Sequence, residues 1–206
     1  MEQTENRVIL RGTVADTPEF SHQVHGMDFY RFPLSVPRLS GREDRLNILL
    51  APSPKACPLP ADGDYVEIQG QVRSFNNRSG TGNRLIITVL AQSILPGEEP
   101  PCNQVFLSGT LCKMPVLRRT PLGRDICDLL LAVNRRYRRA DYLPCIAWGS
   151  LAAECGQLQT GDSLHLEGRL QSRTYMKRFG EMTQERTAFE ISISSVALTY
   201  EEDDCL

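Results

Sequence analysis

Two short stretches mix cations with aromatic rings. The first is Arg135-Arg136-Tyr137-Arg138-Arg139, followed by Tyr142 and Trp148. The second runs through Arg169, Arg173, Tyr175, Lys177, Arg178 and Phe179. A guanidinium or ammonium neutralises a phosphate. An aromatic ring stacks on an exposed base, worth about 1–3 kcal/mol per base whatever the base is. The mixture therefore suits a single strand of nucleic acid held without sequence preference. An isolated R-R-Y-R-R run is more often a solvated hairpin tip, but a second Tyr-and-Arg cluster weighs against that reading here. Trp148 fits a core as well as a stacking plate, Tyr142 can pack at a strand edge, and Arg118-Arg119 can be an exposed turn.

These clusters need a scaffold, and the chain states it twice. Gly161–Tyr175 reads G-D-S-L-H-L-E-G-R-L-Q-S-R-T-Y. Leu164, Leu166 and Leu170 alternate with polar residues, the period of a half-buried strand. Gly168 interrupts it, as at a bulge or barrel corner. The strand thus has a buried face at its start and a basic, aromatic arm at its end. Gly63–Ser74, G-D-Y-V-E-I-Q-G-Q-V-R-S, repeats it. Residues 6–51 align with 103–148 at a constant offset of 97, matching Gly12 with Gly109, Asp28 with Asp125 and Arg38 with Arg135. The offset is 98 at the repeated strand and about 102 after the next hairpin. A unit of this length is a domain, not a solenoid repeat.

In the second copy, strands are predicted over Asn103–Leu111, Arg124–Asn134, Tyr142–Trp148, the opening strand and Thr187–Leu198. A helix is predicted over Ser150–Leu158, with Ser150 as its cap. Five strands with a short helix between the third and fourth make an all-β chain of two tandem five-stranded OB-fold barrels. In the first copy the strands fall at 6–14, 28–37, 45–51, 64–75 and 84–95. Its connector from Ala51 to Pro60 carries four prolines, so no helix is expected there. The expected domains are 1–97, a Pro-rich linker 98–102, 103–200 and an acidic tip 201–206.

The tyrosines thin out in the first copy: Tyr137 is matched by Ser40, Tyr142 by Arg45 and Trp148 by Ala51. Cations remain, among them Arg38, Arg42, Arg45, Arg73, Arg78 and Arg84, with Phe75 and Tyr30 as possible plates. A weaker binding surface, or one given to barrel pairing through an edge strand, is expected there.

The net charge of −2 hides an uneven distribution, because Cys102–Tyr200 hold 13 Lys+Arg against 9 Asp+Glu. The seven cysteines form no C-x-x-C and share no ligand spacing with the three histidines. Reduced, mostly buried thiols are expected, and no metal or other cofactor. No apolar run reaches 18 residues and the N-terminus is acidic, so a cytoplasmic protein without a membrane partner is expected. No nucleotide-loop, nucleophile-elbow or zinc-protease motif occurs, and Asp125 and Asp128 are three residues apart on a strand, on opposite faces. An enzyme is not expected.

The stretches N-Q-V-F-L-S-G-T-L (103–111), P-L-G-R-D-I-C-D-L-L-L-A-V-N-R (121–135), Y-L-P-C-I-A-W-G-S-L-A (142–152) and the opening strand, in this order, resemble the bacterial single-stranded DNA-binding protein family, to which primosomal replication protein N is related. The resemblance implies sequence-tolerant binding of single-stranded DNA in replication, recombination and repair, without catalysis. It implies stacking roles for Tyr137, Tyr142, Trp148 and Tyr175. Two such chains would supply four barrels, so a homodimer is implied. The acidic end, through Asp203, Asp204 and Leu206, is either a solvated terminus or a recruiter of replication and repair proteins. The runner-up function is a primosome-type adaptor, an OB module that docks replication proteins.

Overall fold

A computed structural model of the chain describes residues 5–53, 57–77, 83–179 and 182–199, without the side chains of Arg138, Lys177, Phe179 and Met182. The acidic tip and Arg78 lie outside the described residues.

Alternation becomes strand in both copies. In the first, β1 (Asn6–Val14), β3 (Met27–Pro37), β4 (Glu43–Leu50), β5 (Tyr65–Asn76) and β6 (Leu85–Pro96) close a ring. β3, β1 and β5 pair antiparallel in succession, β5 pairs β6, and β6 returns to β4 by a short parallel contact at Ile48 and Val89. In the second, β7 (Cys102–Leu111), β9 (Asp125–Arg135), β10 (Arg139–Trp148), β11 (Ser163–Phe179) and β12 (Met182–Leu198) repeat that ring, including the parallel contact at Cys145 and Ile191. Each copy is a five-stranded OB barrel. The buried residues are the alternating ones, Leu10, Leu34, Ile48 and Ile68 in one copy and Leu107, Leu131, Leu143 and Leu164 in the other. Leu166 and Leu170 are buried as expected.

Each copy also carries a strand that the periodicity did not predict: β2 (Glu19–Val24) against β3 and β8 (Val116–Arg119) against β9. Both lie outside the ring and are almost wholly exposed, so no apolar alternation announces them. Arg118 and Arg119, expected in a turn, stand on β8 and pair with Asp128 and Asp125. The helix α1 is shorter than expected, Ser150–Cys155, and its cap is Gly149 at φ 62° instead of Ser150. The left-handed turn that ends β10 needs a residue without a Cβ there. The proline-rich connector of the first copy forms no helix among its described residues, only a bridge from Ser53 to Cys57.

The glycines at the matched positions are explained by contact. A Cβ on Gly12 would sit 2.2 Å from the Ser35 carbonyl, and one on Gly109 2.4 Å from that of Ala132. For Gly70 and Gly168 the distances to Leu90 and Ser192 carbonyls are 2.3 and 2.4 Å. Gly70 also marks a register shift against β6.

The spatial division differs from the sequence one. One compact unit contains Phe106–Arg169 and the end of β12 from Ile191; the other contains Arg7–Val105 together with Leu170–Glu190. The outer half of the β11–β12 hairpin therefore belongs to the same unit as the first barrel. The linker is held in that unit too. Tyr65 donates its hydroxyl to the Glu99 carbonyl at 2.9 Å, and Arg11 bonds Glu99 at 2.7 Å.

Gly168→Ala is expected to lower unfolding free energy by about 1–3 kcal/mol, because strand backbone must move to admit the methyl. Urea unfolding followed by Trp148 fluorescence measures this, and Gly109→Ala should behave alike.

Candidate nucleic-acid interface

The β9–β10 hairpin ends in a single tight turn, Arg136–Arg138, with Tyr137 at φ 64°. That backbone is costly for a tyrosine, and it puts the ring at the hairpin tip, 92% exposed. Arg136 and Arg139 are exposed beside it. On β10, Tyr142 and Trp148 lie six residues apart on one outward face, about 20 Å along the strand. They are 50% and 40% exposed, so Trp148 stands at the surface and not in the core. The side chain of Arg138 is not described.

Arg135 has a different position. Strand alternation turns it to the face of Asp141, which is 0% exposed, and its guanidinium grips that carboxylate through both Nε and a terminal nitrogen. Arg38 does the same to Asp44, which is 1% exposed, with Nε 2.7 Å from Oδ2. Asp44's hydrogen bond raises the Arg38 pKa above its ordinary value. Both arginines are thus committed to buried carboxylates at equivalent positions of the repeat. Arg73 is half-buried and bonds Gln71.

On the β11–β12 arm, Arg173 lies 5.8 Å from the Tyr175 ring centroid and 3.9 Å from Glu190. Gln171 bonds the same Glu190 at 2.8 Å. Arg178 is exposed. Lys177 and Phe179 are on β11, but their side chains fall outside the described residues. Arg169 belongs to the unit of Phe106–Arg169, the residues from Leu170 on to the other.

In the first copy Arg45, Phe75 and Tyr30, expected from the sequence, are joined by Arg31, Phe20, His22 and Phe29, which were not. A groove of about 630 Å³ is lined by Arg31, Arg45, His22, Phe75 and Ile86 and by Glu19 and Asp16, which lie 3.4 Å from Arg31 and 3.9 Å from Arg45. Beside it, β2 and β3 set Phe20 edge-on to Tyr30, centroids 6.1 Å apart, and stack His22 on Phe29 at 5.0 Å. A cross-strand search would have found both pairs, since Phe20 faces Tyr30 and His22 faces Phe29 in the ladder.

The six described cysteines are all free, and burial pushes the Cys155 thiol up to about 11. No group of three or more potential ligands for a metal occurs among the described residues. Among the described residues, no helix is long and apolar enough to cross a membrane.

Two barrels, each with cations and flat rings at its surface, define an OB-fold protein. Residues 102–199 match the Single-strand binding protein family. Single-stranded DNA-binding protein A of Bacillus subtilis is 37% identical over 86 residues, 38% of this chain and 50% of that protein. The single-stranded DNA-binding protein of Thermus aquaticus is 33% identical over 120 residues, 56% of this chain and 44% of that one. The alignments thus span half or less of these curated relatives' length. The crystal structure of wild-type Thermus aquaticus single-stranded DNA-binding protein superposes with a TM-score of 0.75 at 24% identity, covering 96% of this chain and 94% of that one. A deletion mutant of it gives 0.76, covering 98% of each chain. The family match thus covers the second copy, residues 102–199, and the fold likeness extends over both copies.

Arg135→Ala removes the cation from a fully buried carboxylate and is expected to lower unfolding free energy by about 3–5 kcal/mol. Arg136→Ala and Arg139→Ala, at exposed positions, should stay within about 0.5 kcal/mol of the parent. Chemical denaturation of the three variants measures both expectations.

Proposed function

We propose that the protein binds single-stranded DNA without strong sequence preference and protects it during replication, recombination and repair, with no catalytic step. The observation that carries this reading is the exposed set on the β9–β10 hairpin, Arg136, Tyr137, Arg139, Tyr142 and Trp148, on a barrel of the matching family. Phosphates are met by guanidiniums at the hairpin tip, and bases unstack onto Tyr137 and the rings along β10. On the arm, Arg173, Tyr175, Lys177, Arg178 and Phe179 are proposed as further contacts to the DNA. Arg169 and Arg73 are part of the proposed surface as well. Arg135 and Arg38 support it from within, through their carboxylates.

The first-copy groove adds a second binding surface, with Arg31 and Arg45 for phosphates and Phe75 and the His22–Phe29 stack for bases. A homodimer would bring four barrels to one strand. The acidic tip, with Asp203, Asp204 and Leu206, is proposed to recruit replication and repair proteins in the cytoplasm.

Titration with oligo(dT) tests the reading through Trp148 and tyrosine fluorescence. Quenching is expected, with log Kobs falling linearly in log salt by about 0.7 for each phosphate neutralised. Absence of binding at low salt, or salt-insensitive binding, would overturn it. Tyr137→Ala should weaken binding by the loss of one stack, about 5- to 150-fold. Arg136→Ala and, in the groove, Arg31→Ala should each reduce the salt slope by about 0.7. An unchanged slope for Arg31→Ala would remove the groove from the surface.

A further inference from the structure

The arm Leu170–Glu190 is attached to residues of the first copy at several points. Asp44 Oδ1 accepts the Ser172 amide at 2.7 Å and lies 3.4 Å from its hydroxyl. Arg38 donates to the Ser172 carbonyl at 3.1 Å. The Arg45 amide reaches the Ser172 hydroxyl at 3.3 Å. Every polar atom of Ser172 is therefore engaged by the hairpin that carries the Arg38–Asp44 pair. Two residues earlier, Asn103 of β7 brackets Leu170, donating to its carbonyl at 2.7 Å and accepting its amide at 2.9 Å. On the returning strand, Asn83 donates to the Thr187 carbonyl.

The anchoring point has a direction. Successive residues of a strand face opposite ways, so with the Ser172 hydroxyl turned to Asp44, Arg173 and Tyr175 lie on the other face. Arg173 is then braced by Glu190 and lies over the Tyr175 ring. A buried carboxylate gripped by a bidentate guanidinium is a stiff acceptor, and a stiff acceptor under a strand backbone fixes how the strand is presented.

We infer that Asp44, oriented by Arg38, is a positioning residue for strand binding: it holds the arm at Ser172 so that Arg173 and Tyr175 are presented to the nucleic acid. The inference rests on the single-strand reading given above. In this role Asp44 never touches the strand, and its negative charge, neutralised by Arg38, does not repel it.

The test uses the full chain with oligo(dT) and three variants: Asp44→Asn, Ser172→Leu, and the double variant Arg173→Ala/Arg178→Ala. Ser172→Leu pushes the arm off without altering the Arg38–Asp44 pair, so it remains informative if Asp44→Asn does not fold. The double variant should reduce the salt slope by about 1.4, two phosphate contacts. Asp44→Asn and Ser172→Leu should reduce the slope similarly and weaken binding about tenfold. Either one combined with the double variant should cause little further loss, the non-additivity of residues acting as one unit. Amide hydrogen exchange should quicken in the arm from Arg173 onward. If both variants that displace the arm lower thermal stability yet keep the parent's affinity and slope, Asp44 is purely structural and the inference falls. If the unaltered protein fails to bind oligo(dT), the single-strand reading falls instead; arm exchange in the two variants then decides the anchoring by itself.

Discussion

The fold depends on four places where one strand's Cα lies against another strand's carbonyl oxygen: Gly12 on Ser35, Gly109 on Ala132, Gly70 on Leu90 and Gly168 on Ser192. A sheet closes into a small barrel only if its strands bend sharply and approach closely at the corners. A Cβ added at any of the four would sit 2.2–2.4 Å from that oxygen, so there is no room for even a methyl. The leucines and valines that fill the interior follow from that closure. Leu164 and Leu166 precede Gly168 and are buried, as Val66 and Ile68 are before Gly70. Past the corner the strand leaves the barrel, and for this reason its outer half is available as an arm.

A second constraint is electrostatic and also occurs twice. Arg38 with Asp44, and Arg135 with Asp141, tie the ends of equivalent hairpins through a buried carboxylate. Stripping water from two charges is expensive, and a bidentate grip compensates only when both partners stay in position. Such a pair defines geometry more than it adds stability. In the second copy it closes the base of the hairpin whose tip displays Tyr137. In the first it supplies the acceptor on which Ser172 rests.

The barrels were legible in the sequence because their signals are local and periodic. Alternation marked the ring strands, and offsets of 97 and 98 aligned the corner glycines. Outside the ring this legibility failed for a physical reason. β2 and β8 bury almost nothing, so they show no alternation. The roles of Arg38 and Arg135 were hidden differently, since a sequence displays a charge but not its partner. A signal existed nonetheless: each arginine is followed six residues later by an aspartate, at the same offset in both copies. Tyr30 was named, but its partner Phe20 and the His22–Phe29 pair were missed because the second copy's tyrosines were sought at their own offsets, where Ser40 and Arg45 stand.

Duplication explains why the two copies diverge where they do. The corner glycines and the Arg–Asp pairs are internal constraints; either copy loses its barrel geometry without them, and both keep them. The rings are external and can relocate. In the second copy they cluster on the β9–β10 hairpin and β10, while in the first they lie on the β2–β3 ladder and around the groove of Phe75. A base face is a tolerant target, since any flat ring at stacking distance serves. If the rings stack on bases as proposed, their positions are free to differ between the copies, whereas a buried carboxylate at Asp44 or Asp141 is fixed by its arginine.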